Sequence, residues 1–276
     1  PLIETVLLPM MALGAIAFPV HYAVLRDRDP GKLLGDLQSR WLLLLFGAGV
    51  LALSVQNALS VGTVPEAYSN AGFLPASAGV DPQVADAVRD STFQWISALS
   101  CTGFQSAPIG RWTDGGKVLV SGAMVLGGAA GSTVGGIKII RGYMVARGIG
   151  WQFGRVFLPS NAVVTARIGD RVLTRPQMER EFNEATVVSL LWLLLLAVSS
   201  LVMANAIAPS YSFADALFEV ASAQGNVGLS AGITGPESLP TLGKVELLFN
   251  MWIGRLEIIP VLVTLRALFN RGGVYP

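Results

Sequence analysis

The sequence is poor in cysteine, histidine and charge. It has one Cys, Cys101, and one His, His21, so an internal disulfide framework and a metal site built from Cys and His are both excluded. Only 13% of the 276 residues are charged, where a soluble domain carries roughly 25%. The net charge is +1, which leaves no basic face for nucleic acid and no acidic tail. The apolar stretches contain no paired carboxylates and no nucleophile, histidine and acid set, so an enzyme is set aside. What the chain has is apolar bulk, 52% of its residues, together with 31 Gly. An ordinary soluble domain and a disordered chain do not have this composition.

A membrane crossing needs roughly 20 apolar residues. Val6–Leu25, Trp41–Val61, Ala185–Ile207 and Val245–Phe269 meet that length, and Lys117–Ala146 meets it with a Gly-rich interruption. Ser91–Ser100 and Phe213–Ala223 are helix-like but only about ten residues long, which suits re-entrant half-helices. If the spans alternate, 14 of the 19 Lys and Arg fall on one face: eight between Lys138 and Arg180, four between Arg26 and Arg40, and Arg266 and Arg271. The other face holds Glu66, Asp81, Asp86, Asp90, Asp114 and Glu237. By the positive-inside rule the basic face is cytoplasmic, and Val61–Asp90 is external.

The chain also repeats itself. Trp41-Leu42-Leu43-Leu44-Leu45 recurs as Trp192-Leu193-Leu194-Leu195-Leu196. Ser97-Ala98 with Thr102-Gly103-Phe104 matches Ser222-Ala223 with Val227-Gly228-Leu229 at an offset of 125. Gly116-Lys117-Val118 through Gly127 matches Gly243-Lys244-Val245 through Gly254, and Met11-Ala12-Leu13-Gly14 resembles the end of that unit. Each unit reads as span, short helix, Gly-containing loop, span. The division predicted is residues 1–25, the last span of a preceding repeat; 26–40, a cytoplasmic connection; 41–146, one full repeat; 147–182, a basic cytoplasmic connection; and 183–269, a second full repeat. Two crossings per unit make the units parallel, which argues against an inverted-repeat transporter and for a ring of units around one axis.

Irregular backbone at membrane depth survives only inside protein or along a watery path. Ser100-Cys101-Thr102-Gly103-Phe104 and Gly225-Asn226-Val227-Gly228-Leu229 stand at equivalent places and contain no acid or base. Rings of backbone carbonyls can replace the water of a dehydrated cation, and Gly lets successive carbonyls turn inward. The stretch Gly127-Gly128-Ala129-Ala130-Gly131-Ser132-Thr133-Val134-Gly135-Gly136 has five Gly in ten residues, each disfavouring helix by about 1 kcal/mol relative to Ala. It predicts a break inside the membrane where the second repeat runs on continuously. A phosphate loop fails on spacing, because Ile137 follows Gly136. Helix packing through Gly-x-x-x-Gly spacing and a flexible gate across a pore remain. Arg255, aligned with Gly128, is a charge within a span; it reads either as a pore residue or as a partner of Glu257 or Glu246. His21, at a span end, reads as structural, and Cys101 as a small polar lining residue.

Taken in order, Thr102-Gly103-Phe104, Gly131-Ser132-Thr133-Val134-Gly135-Gly136-Ile137-Lys138, Gly225-Asn226-Val227-Gly228 and Gly254-Arg255-Leu256-Glu257 resemble the TrkH/KtrB superfamily of potassium transporters, related to the plant HKT proteins. Asn226 and the Gly-Arg-Leu-Glu form look more like the TrkH branch. The resemblance covers nearly the whole chain. It implies an all-α integral membrane protein of potassium-channel-like type, with parallel span, pore-helix, loop, span repeats. Of the family's four units it matches the third, the fourth and the end of the second, so the chain is expected to begin within a longer protein. The resemblance implies a K⁺ filter at Cys101, Thr102, Gly103, Asn226, Val227 and Gly228. It implies a gate of Gly127, Gly128, Gly131, Ser132, Thr133, Gly135 and Gly136, with Arg255 projecting into the pore. It further implies K⁺ as cargo without a covalent cofactor, a homodimer in the lipid of a prokaryotic inner membrane, and a cytosolic nucleotide-binding regulator of the TrkA type. Ser100-Cys101 stands where many relatives have Thr-Thr. A Na⁺-passing relative and a non-conducting scaffold subunit are the alternatives.

Overall fold

The protein is described here by a computed structural model covering residues 2–68, 81–157, 166–169, 171–234 and 239–269. Parts of the two connections expected on opposite faces lie outside the described residues, as do Glu237, Arg271 and the side chains of Arg155, Arg167 and Arg171.

Helix α1 (Leu2–Gly14) turns into α2 (Phe18–Asp27), and a short α3 (Gly31–Gly35) leads to α4 (Leu37–Ser60). Then come α5 (Pro82–Leu99), α6 (Asp114–Leu126) and α7 (Ile139–Val156). A small antiparallel hairpin, β1 (Ala166–Ile168) and β2 (Arg171–Leu173), pairs Ala166 with Leu173 and Ile168 with Arg171. Helices α8 (Arg175–Ala206), α9 (Phe213–Gln224), α10 (Thr241–Leu256) and α11 (Ile258–Phe269) complete the chain. The all-α expectation holds apart from the hairpin, whose turn contains Gly169 at φ 60°.

Among the described residues two helices, α4 and α8, are long and apolar enough to cross a membrane alone. At 1.5 Å per residue, the 24 residues of α4 span about 36 Å, more than the roughly 30 Å of a hydrocarbon core. Their outer faces expose Leu44, Leu51 and Leu59 on α4 and Leu190, Leu194 and Leu201 on α8, as lipid contact requires.

Two expected spans are not continuous. Val6–Leu25 bends by 99° between α1 and α2, and Val245–Phe269 bends by 113° between α10 and α11. Proline accounts for both places. A helical Pro clashes with the carbonyl four residues back. Pro19 would meet Ala15, and α1 ends at Gly14; Pro260 would meet Leu256, and α10 ends there. The expectation that only the first full repeat is interrupted is therefore corrected. All three helices that close a unit, α1, α6 and α10, stop within a few residues of the aligned Gly14, Gly127 and Gly254.

The expected half-helices are the centre of the molecule. Helix α5 is longer than expected, 18 residues, because Asp81 caps it and Pro82 starts it. Helix α9 has 12 residues and opens on a capping box, in which Ser212 N donates to Asp215 and Asp215 N to Ser212. Helix α5 packs against α1, α4 and α6, and α9 against α6, α8 and α10. Ala98, Leu99, Phe218 and Ala221 on these two helices are fully buried. One ion pair fastens each central helix to the helix that closes the unit before it: Glu4 of α1 with Arg89 of α5 at 2.6 Å, and Lys117 of α6 with Asp215 of α9 at 2.6 Å.

Candidate functional site

The two loops that follow α5 and α9 are the same structure twice. After α5, Ser100 N donates to Ile96 O (2.9 Å), Cys101 N to Ala98 O (3.2 Å) and Thr102 N to Ser97 O (3.1 Å). After α9, Gly225 N donates to Ala221 O (2.8 Å), Asn226 N to Ala223 O (3.0 Å) and Val227 N to Ser222 O (2.8 Å). Every donor and acceptor in the second set is the first set shifted by 125, the offset of the sequence repeat. The dihedrals agree: Cys101 and Asn226 lie at φ 49° and 52°, Gly103 and Gly228 at 72° and 98°. A left-handed residue ends each helix, and a left-handed Gly then turns the chain again. Both loops sit at the C-terminal ends of their helices, where the partial charge is negative.

The loops touch. A Cβ on Gly103 would overlap the carbonyl oxygen of Val227 and come within 3.2 Å of Gly228 Cα. Beyond them, Ser230 N donates to Gln105 Oε1 at 3.2 Å. Thus Cys101, Thr102, Gly103, Asn226, Val227 and Gly228, which are far apart in sequence, form one neighbourhood.

The Gly-rich stretch is a loop, and it lies against both of the others. Helix α6 ends at Leu126, and Gly127 leaves it at φ 64°. A Cβ on Gly135 would overlap the carbonyl oxygen of Gly225 and stand 3.6 Å from Asn226 Cβ. The Cys101 sulfur is within reach of the Gly135 backbone amide. The loop closes on itself through Ile137 N to Val125 O (2.9 Å) and Ile139 N to Gly128 O (3.0 Å), and Lys138 Nζ caps Val134 O. Ser132 Oγ donates to Ala129 O at 2.6 Å.

Its other fastenings reach the bend between α1 and α2. Ala129 N donates to Ala15 O (3.1 Å), Phe18 N to Gly131 O (3.0 Å) and Thr133 Oγ1 to Gly14 O (3.3 Å). Gln38, at the start of α4, takes Ala130 N on its side-chain oxygen at 2.8 Å. Sequence reasoning missed Gln38 and this bend, and Pro19 was the available signal.

Arg255 lies in the last turn of α10, exposed, and close enough to Lys138 for their charges to interact. Among the described residues neither expected partner is joined to it. Glu257 instead pairs with Arg141 at the head of α7, at 2.7 Å, and Glu246 lies beside Ser199 of α8. The turn that carries Arg255 abuts the second loop, because a Cβ on Gly254 would lie 2.6 Å from Asn226 Nδ2. His21 Nε2 is 2.9 Å from Leu13 O, a contact that spans the α1–α2 bend.

Comparison with known proteins agrees with this architecture. The family model described as TrkH, cation transport protein, matches residues 1–272. The Trk system potassium uptake protein TrkI of Halomonas elongata is 30% identical over 268 residues, covering 95% of this chain and 48% of that protein. An uncharacterized cation transporter of Methanocaldococcus jannaschii is 29% identical over 260 residues, covering 94% of this chain and 47% of that protein. The crystal structure of the potassium transporter TrkH from Vibrio parahaemolyticus superposes with a TM-score of 0.72 at 22% identity, covering 98% of this chain and 53% of that one. The chain spans about half the length of these relatives. Its fold is that of a multi-pass membrane protein, and its family one of transporters rather than enzymes. The chain belongs to the TrkH family of cation transport proteins.

Proposed function

We propose that the chain contributes two of the filter loops and the gate of a pore through which K⁺ enters the cell. The observation that carries this reading is the pair of touching loops with one hydrogen-bond pattern, each at the negative end of a buried helix. Such loops can present backbone carbonyls to a dehydrated cation without a fixed charge on the path. Cys101, Thr102 and Gly103 form one set of ligands in this reading, and Asn226, Val227 and Gly228 the other. The gate is the loop of Gly127, Gly128, Gly131, Ser132, Thr133, Gly135 and Gly136, with Arg255 as a fixed positive charge beside it. A unit charge 4 Å from K⁺ opposes it by about 4 kcal/mol at an effective dielectric of 20.

Two loops line only part of a ring, so the conducting unit proposed is larger than this chain. The repeat boundaries at residues 41–146 and 183–269 are part of the same reading, as are a homodimer in the lipid of a prokaryotic inner membrane and a cytosolic TrkA-type regulator. The Trk system name of relatives such as TrkI supports the regulator.

The test is flux through liposomes containing the purified complete pore-forming subunit. K⁺ flux should exceed Na⁺ flux, and Gly228→Ser should reduce that ratio, since Gly228 stands at φ 98° with room for a side chain but not for its backbone strain. Equal Na⁺ and K⁺ flux in the wild type would make the protein a Na⁺-passing relative. No flux of either ion would make it a scaffold.

A further inference from the structure

The segments that leave the two loops are each held by one buried side chain of the preceding helix. Gln94 in α5 is fully buried. With its amide oriented so that both ends are satisfied, its oxygen accepts Ser106 N at 2.7 Å and Ala107 N at 3.2 Å. Glu219 in α9 is 3% exposed. Its Oε1 accepts Ser230 Oγ at 2.6 Å, Ala231 N at 2.8 Å and Ile233 N at 3.3 Å. Glu219 is Gln94 shifted by 125, and Ala231 is Ser106 shifted by the same amount. Gln105 and Ser230, again one shift apart, join the two segments to each other at 3.2 Å. A continuous chain of hydrogen bonds therefore runs from α5 through both exit segments to α9.

The two positions share one donor place, Ser106 N and Ala231 N, and differ in charge. Glutamine and glutamate have nearly the same shape, and both accept backbone N–H groups. The donors that meet Glu219 Oε1 are a hydroxyl and backbone amides, none of which carries a positive charge. Glu219 also lines a cleft of about 270 Å³ together with Asn226, Val227 and Gly228. A carboxylate beside a low-dielectric cleft concentrates cations there.

We propose that Gln94 and Glu219 are the positioning residues of the two filter loops, and that the carboxylate of Glu219 sets cation affinity at the second loop. This rests on the filter reading above and adds to it two residues outside the loops.

K⁺ uptake by the complete subunit in liposomes, read as KM and Vmax, tests it. Glu219→Gln keeps an acceptor for the backbone and removes the charge. It should raise KM for K⁺ on the order of three- to tenfold, as one unit charge does through partly aqueous surroundings, with Vmax and melting temperature near wild type. Gln94→Glu should lower KM. Glu219→Ala removes the acceptor as well and should abolish K⁺ over Na⁺ discrimination; if that variant does not assemble, the Glu219→Gln result decides. An unchanged KM in Glu219→Gln overturns the proposal while leaving the filter reading intact. So does a fall in melting temperature and Vmax without a change in KM, which is the mark of a purely structural residue. A wild-type protein that passes no K⁺ overturns both.

Discussion

Cys101 and Asn226 do the same job with unequal ease. Each ends a central helix in the left-handed region, at φ 49° and 52°. Asn is enriched there because its side chain can bond locally, whereas other L-residues are strained by about 1–2 kcal/mol. Cys101 therefore carries strain that Asn226 does not. Replacing Cys101 by Gly should raise the melting temperature or leave it level, and Cys101→Asn should do the same. Cys101→Val should lower it, by the equivalent of about 1–2 kcal/mol, because a β-branched residue tolerates this region least. Equal melting temperatures for the Gly and Val variants would mean that the backbone has relaxed out of the left-handed region. The lone thiol reads from sequence as a small lining residue, and composition carries no sign that its backbone is the unusual part.

At the scale of elements, the Gly-rich loop is less free than its composition suggests. Five Gly in ten residues remove the helix, but Ala15, Gly14, Phe18 and Gln38 then hold what replaces it. Gln38→Ala should free Ala130 N and loosen this fastening, raising basal K⁺ flux in the complete subunit with little change in melting temperature. Removing Ala129–Thr133 should raise flux further, because it deletes the fastened part. Flux that falls or stays level in both variants would make the loop packing material. The existence of this loop is legible in the sequence because Gly is itself the physical cause of the break. The bend at Ala15–Ala17 is not visible to a hydropathy reading, since apolar character continues across it, and Arg255 and Glu257 interrupt the second span without giving its direction. Pro19 and Pro260 are the readable trace, each four residues beyond the carbonyl it would strike. The pairing of Glu257 with Arg141 is beyond sequence reasoning altogether, because 116 residues separate them and the adjacent Arg255 is the obvious local partner.

For the whole molecule, orientation follows from the segregation of Lys and Arg. Single cysteines at Thr63 and Gln152, both exposed, would be probed with an impermeant thiol reagent in intact cells, in a Cys101→Ser background. Position 63 should label and position 152 should not; the reverse pattern would invert the topology. The long helices α4 and α8 and the two loops are legible in the sequence, the first from uninterrupted apolar runs and the second from repetition. What repetition conceals is where successive units differ, and the half-buried pair of Glu4 with Arg89 and the buried pair of Lys117 with Asp215 lie there. Glu4 and Lys117 occupy equivalent places by the alignment of Met11 with Met124, yet they carry opposite signs. Their partners, Arg89 and Asp215, are reversed to match. If α1 took the place of α6 against α9, Glu4 would face Asp215 where Lys117 now does. That mistake sets two carboxylates against each other where Asp215 is buried. Units similar enough to be mistaken for one another during folding thus carry an address in the sign of a single charge.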